Sequence, residues 1–133
     1  MSQRLLLDTS ILSELIKDPH GRVARKVLDA GVDNICTSIV AAAELRYGAL
    51  KKRSTRLRRQ AEELLAEIQV LPLDEPVDAE YGKLRVALET AGKMLAANDL
   101  LIAAHANAVD AAVVTSDHDF KQAGKLVQVL TWR

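Results

Sequence analysis

Four carboxylates stand where a chain could use them for chemistry. Asp8 ends the apolar run RLLLD, with Thr9 and Ser10 behind it. Asp117 follows AVVTSD, two residues after Thr115. Glu44 lies in SIVAAAELRYGAL and Asp99 in ANDLLIAAHA. Glu44 is the most informative of the four. Its helical neighbours three and four residues away, Val40, Ala41, Tyr47 and Gly48, are all uncharged. A carboxylate buried among them loses hydration worth several kcal/mol unless something compensates. The compensators suggested by sequence are Arg46, which falls off that face, or a bound cation. The other three each have a structural alternative, because Asp favours turns and helix starts. Asn98, for instance, predicts a helix cap, with Asp99 as the first helical residue. Carboxylates gathered with few Cys or His ligands suit a hard divalent cation such as Mg²⁺, which takes oxygen donors and shares substrate phosphates. Two such ions about 4 Å apart can clamp both oxygens of an in-line phosphoryl displacement.

A phosphate substrate needs cations as well. The 133-residue chain carries 18 basic and 18 acidic side chains, a formal net charge of zero, but their distribution is uneven. Between Leu45 and Ala61 lie Arg46, Lys51, Lys52, Arg53, Arg56, Arg58 and Arg59, with no acid among them. Such a block is either a phosphate grip or a solvated helix face. Arg46, Lys51, Lys52, Arg53, Arg56 and Arg59 are the candidate nucleic-acid contacts. Aromatic residues make up only 3% of the chain (Tyr47, Tyr81, Phe120 and Trp132), too few for extensive base stacking, so phosphate contacts are expected to dominate. Tyr81 and Trp132 read as packing residues.

These side chains have to be placed by a scaffold. Arg4 to Leu7 reads as a short buried strand and Thr9 to Lys17 as a helix, broken at Asp18 to Gly21. A helix from Val23 to Ala30 ends at Gly31, and Asn34 to Thr37 is a second strand. Ser38 predicts a cap for a helix from Ile39 to Leu50. Thr55 to Ile68 is the next helix and Val70 to Leu73 the third strand. Pro76 fits the first turn of a helix running to Ala91, ahead of Gly92. After it come a helix from Asp99 to Val109, a strand from Ala112 to Thr115, a short helix from Asp119 to Ala123 and a strand from Leu126 to Leu130. Short apolar strands alternating with helices predict an α/β fold, a mainly parallel sheet covered on both faces. In such sheets ligands bind beyond the carboxyl ends of the strands, where Asp8 and Asp117 would face one crevice.

The length fits one domain, residues 1–133. No apolar run approaches the roughly 20 residues of a membrane span, and none resembles a secretory signal. The single cysteine, Cys36, precludes an intrachain disulfide and reads as a small buried residue, so a cytoplasmic home is expected. His20, His105 and His118 are not at metal-ligand spacing. His105, inside an alanine-rich helix, reads as a hydrogen-bonded interior or rim residue, and His118 as an exposed turn residue.

In order and spacing, LLLDTSIL, SIVAAAELRYGA, ANDLLIAAHA and VVTSDHDF, with Trp132 near the end, resemble the PIN-domain ribonucleases, specifically the VapC toxins of bacterial toxin–antitoxin pairs. The resemblance spans nearly the whole chain. It implies a PIN-like fold with a central five-stranded sheet. It also implies a Mg²⁺- or Mn²⁺-dependent endoribonuclease that leaves a 5′-phosphate and a 3′-hydroxyl, often acting on tRNA. Asp8, Glu44 and Asp99 match the family's three invariant acids and Asp117 its more variable fourth, with Asp119 as the alternative. Thr115 and Ser10 would be auxiliary. A cognate VapB antitoxin, a toxin homodimer and a higher toxin–antitoxin assembly are further implications. Two positions depart from the pattern. Ser10 stands where members often have asparagine, keeping a polar group and capping ability. Ala96 stands where glycine is common, with less backbone freedom. Neither change removes a ligand.

Three other readings fit less of the sequence. A haloacid-dehalogenase-like phosphatase needs a second Asp two residues after the first, and that position is Ser10. A phosphorelay receiver needs adjacent acids near the first strand, which are missing although Asp74 follows VLPL. The third is a catalytically silent PIN-like domain that binds RNA or a partner; the intact acid set disfavours it.

Overall fold

The computed structural model describes residues 3–133. In chain order its elements are β1 (Arg4–Leu7), α1 (Thr9–Lys17), α2 (Arg22–Ala30), a 3-10 turn (Val32–Asn34), β2 (Ile35–Ser38), α3 (Ile39–Lys51), α4 (Thr55–Glu67), β3 (Gln69–Leu71), α5 (Val77–Thr90), α6 (Ala97–Ala108), β4 (Ala111–Thr115), a 3-10 segment (His118–Leu126) and β5 (Val129–Thr131). The five strands form one sheet in the order β3-β2-β1-β4-β5, and every neighbouring pair is parallel.

The leucine run explains why β1 lies at the centre. Successive strand residues point to opposite faces, yet Leu6 and Leu7 are both 0% exposed. Both faces of the sheet are therefore covered, and each such leucine contributes roughly 1.5–3 kcal/mol by leaving water. Val113 and Val114 do the same on β4. From β1 the chain builds outward through β2 to β3, then returns to lay β4 against the other side of β1. The strand order reverses between β1 and β4, where an open parallel sheet leaves its ligand crevice. The ladder reaches the rim of that crevice: the Asp8 N–H donates to the Val114 carbonyl at 3.0 Å.

Several elements differ from the sequence expectation, among them β3, which runs Gln69–Leu71 and stops short of Leu73. Helix α6 begins at Ala97, with Ala96 as a cap lacking a side-chain hydrogen bond. Asn98 therefore does not cap, and Asp99 is the third helical residue. The expected short helix after Asp117 is a 3-10 segment that buries Phe120 and Ala123 and bends where Gly124 adopts φ 56°. Its extension to Leu126 delays β5 to Val129. Pro76 precedes α5 and is not in its first turn.

Ser38 caps α3 as expected, its Oγ accepting from the Val40 N–H at 3.0 Å. The same oxygen lies 2.8 Å from Nδ1 of His105, which is 1% exposed and so ties α6 to the start of α3. Its Nε2 is buried without a well-formed hydrogen bond. Burial pushes the imidazole below its ordinary value, against the Pro72 carbonyl and the Asp74 charge. Cys36 is buried, and Tyr81 and Trp132 pack on the core.

Candidate metal centre

Asp8 sits one residue past β1 and serves two purposes. It caps α1, its Oδ1 accepting from the Ile11 N–H at 3.1 Å and from the Ser10 hydroxyl at 2.6 Å. It is also 4% exposed, an unusual place for a carboxylate. Burial pushes its pKa above the ordinary value, while the hydroxyls of Ser10 and Thr115 and the N–H groups of Ile11 and Ser10 pull it back.

Ser10 has a structural role that its residue type alone did not reveal. Besides donating to Asp8, its oxygen accepts from the Ser116 N–H at 3.0 Å and lies 3.3 Å from Thr115 Oγ1. One hydroxyl thus joins the end of β1 to the end of β4. Thr115 Oγ1 in turn accepts from the Asp117 N–H at 3.0 Å, fixing the loop that carries the fourth acid. Asp117 caps the 3-10 segment through the Asp119 N–H at 3.0 Å, and both acids are exposed.

Glu44 projects from α3 and is half-buried. Arg46 does not compensate it, because that guanidinium grips Glu62 through two hydrogen bonds at 2.8 and 3.0 Å. Glu44 instead accepts from the Thr9 hydroxyl at 2.6 Å on Oε1 and from the Asn98 amide at 3.2 Å on Oε2. Both donors are neutral, so they orient the carboxylate and leave its charge in place. Neither was singled out as a site residue from sequence. They lie 35 and 54 residues from Glu44, and their local signals, a helix start and an apparent cap, pointed elsewhere.

Asp99 reports the convergence of the set. Its pKa is pushed up to about 6, first by burial and then by the charges of Asp8, Glu44, Asp117 and Asp119. The first three of those charges, with Asp99 itself, are the four predicted acids, and Asp117 acts more strongly than Asp119. Among the described residues no Lys, Arg or His forms an ion pair with any of the five. Nor do any three His, Cys, Asp or Glu side chains already close on one point as a ready cage. Glu44 is engaged by Thr9 and Asn98, Asp8 by Ser10. The donor set is all oxygen, net negative and without internal compensation, so the residues present fit a hard divalent cation.

The model of the PIN domain family matches residues 5–126. Ribonuclease VapC5 of Mycobacterium tuberculosis is 35% identical over 118 residues, which cover 86% of this chain and 84% of that protein. Toxin FitB of Neisseria gonorrhoeae is 34% identical over 121 residues, covering 85% of this chain and 87% of its own. The fold superimposes on a chain of VapBC2 from Rickettsia felis, crystallised with a DNA fragment from its promoter. The TM-score is 0.87 at 28% identity, covering 97% of this chain and 98% of that one.

Proposed function

The chain belongs to the PIN-domain family, and from that premise we propose that it is a VapC-type toxin, an endoribonuclease dependent on Mg²⁺ or Mn²⁺. Residues 1–133 act as a single PIN domain in the cytoplasm; among the described residues no helix is long and apolar enough to cross a membrane. The observation that carries the reading is the convergence of Asp8, Glu44, Asp99 and Asp117 at the β1–β4 crevice with no cationic side chain paired to them.

When bound there, a divalent cation supplies Lewis acidity toward the phosphate and makes water a better nucleophile near neutral pH. The chain's own residues do the rest. Asp8 and Asp117 are set at fixed heights by the ends of β1 and β4 and by the Ser10–Thr115 hydroxyl pair. Thr9 and Asn98 orient Glu44 by holding both of its oxygens. Asp99 completes the set from the first turn of α6, with its carboxylate among four others. These contacts restrain Asp8, Glu44 and the loop that carries Asp117, and the carboxylates would draw together onto a bound cation.

The VapBC and FitAB structures to which the fold is similar are toxin–antitoxin complexes, some of them on DNA. By that likeness the partner is a VapB-type antitoxin in a toxin–antitoxin assembly, and the family resemblance adds a toxin homodimer as the working unit. The deciding experiment is cleavage of an RNA pool, tRNA included, by purified protein with Mg²⁺. Wild type should cut, Asp8→Asn and Asp99→Asn should not, and EDTA should silence wild type. Full activity in EDTA, or in Asp8→Asn, would sink the reading.

A further inference from the structure

The basic block does not act as one surface. Five of its seven cations fall on two different sides of the α3–α4 pair, and Lys51 and Arg53 line neither hollow. Arg46, Arg58 and Arg59 line a hollow of about 450 Å³ together with Glu62, which neutralises Arg46. Lys52 and Arg56 line a larger cleft, of about 660 Å³, between α1, α3 and α4. Lys17 of α1 joins them there, a residue outside the block altogether. All three cations are exposed, and among the described residues none is in an ion pair.

This cleft is continuous with the acid centre, since Thr9 and Glu44 form part of its wall. Its floor is aliphatic, with Leu45 buried and Ile16 and Leu57 half-buried. At Gly48 a Cβ would meet no atom within 4 Å. A glycine inside a helix weakens it, and here the missing side chain leaves the cleft open. The volume falls within the range of small-ligand sites. An apolar floor, a cationic rim and a carboxylate end wall together suit a polyanion with flat apolar units, whose backbone must pass the acids.

We propose that this cleft seats one nucleotide of single-stranded RNA beside the bond to be cut. Its base lies over Ile16, Leu45 and Leu57, and its flanking phosphates lie on Lys17, Lys52 and Arg56. The assignment rests on the ribonuclease reading and deepens it. It moves the RNA contacts away from Arg46 and Arg59 and onto one side of the hairpin. It also implies a preference for unpaired segments, because a stacked, paired base cannot enter the cleft.

The test has two arms. In the first, anisotropy of a short dye-labelled single-stranded RNA of mixed sequence is followed against salt in EDTA, so that no cleavage intervenes. For Lys52→Gln/Arg56→Gln the negative slope of log affinity against log salt should become shallower by about 1.4, or about 0.7 for each phosphate no longer neutralised. Gly48→Leu, which adds a good helix former and fills the cleft, should weaken binding with the fold intact by circular dichroism. Arg58→Gln, on the other side, should bind as wild type. In the second arm, cleavage with Mg²⁺ should slow in the same variants and in the same order. Unchanged RNA affinity in both Gly48→Leu and Lys52→Gln/Arg56→Gln would overturn the assignment. So would loss of antitoxin binding alone in Gly48→Leu, which would give the cleft to a protein segment. If wild type cleaves no RNA, the ribonuclease reading fails, and the anisotropy arm still decides the cleft by itself.

Discussion

Glu44 and Glu62 stand on adjacent helices of one hairpin and present the same functional group to opposite circumstances. Glu62 is exposed and clasped by both arms of Arg46, which holds its carboxyl below the usual range. Glu44 is half-buried and meets only a hydroxyl and an amide. The first charge is cancelled where it arises; the second is aimed and left standing. The same contrast divides the acids more widely. Glu80 and Glu89 have lysine and arginine partners on the surface of α5, whereas Asp8, Asp99, Asp117 and Asp119 have none among the described residues. In a chain of zero net charge, the informative acids are those that are buried or crowded together and still lack a cationic partner.

Breaking each side of that division should give very different results. The largest effect is on turnover. Asp8→Asn and Asp99→Asn should lower RNA cleavage roughly a hundred- to thousand-fold, since on the proposed reading several kcal/mol of transition-state stabilisation would pass through a cation held by them. Glu62→Gln should cut at the wild-type rate in the same gel assay. Next comes affinity for the cation. Thr9→Val and Asn98→Leu free the two oxygens of Glu44 and should weaken Mg²⁺ binding about ten- to a hundred-fold by calorimetry, as loss of an orienting partner does at other metal centres.

A third effect is on stability, and its sign distinguishes the two groups. Asp99 ionises near 3.8 in an ordinary setting but only at about 6 in the fold. Between those values the folded chain binds the proton that the unfolded chain has released. Stability therefore falls as pH rises through this window and levels off above it. Asp99→Asn should accordingly raise Tm at pH 7 in EDTA and lose that advantage near pH 4. Added Mg²⁺ should raise the wild-type Tm at pH 7 and do far less for Asp99→Asn. A Tm for Asp99→Asn below wild type at pH 7 would show that the cluster is not a source of repulsion. The smallest effect is expected at the paired site: Arg46→Gln should leave Tm unchanged within error, as for most exposed ion pairs.

Much of the fold was legible because apolar runs and caps are local signals. RLLL and AVVT are strands, Ser38 caps α3, and Asp8 and Asp117 follow strand ends as expected. The start of α6 was not legible, because asparagine is chosen both for capping and for reaching a distant carboxylate. Sequence cannot separate those uses when the carboxylate lies 54 residues away. The same holds for Thr9, which begins α1 by position and holds Glu44 by geometry. The basic block misled in another way. Seven cations in 17 positions, read as one run, hide the hairpin that sends Arg46, Arg58 and Arg59 to one side and Lys52 and Arg56 to the other, and hide the contribution of Lys17 from α1. Ser10 is the reverse case, since the position looked like a departure from a pattern but proved to be the hydroxyl linking two strand ends.

That link also bears on when the protein becomes dangerous. The hydroxyl of Ser10 meets a backbone N–H 106 positions downstream, and β1 meets β4 only after β2 and β3 are laid down. A ribosome that has released the first hundred residues has therefore made Asp8, Glu44 and Asp99 but not the strand that brings Asp117 to them. During translation the nascent chain has no assembled centre, and the interval before β4 docks is one in which a newly made antitoxin can meet a toxin that cannot yet cut.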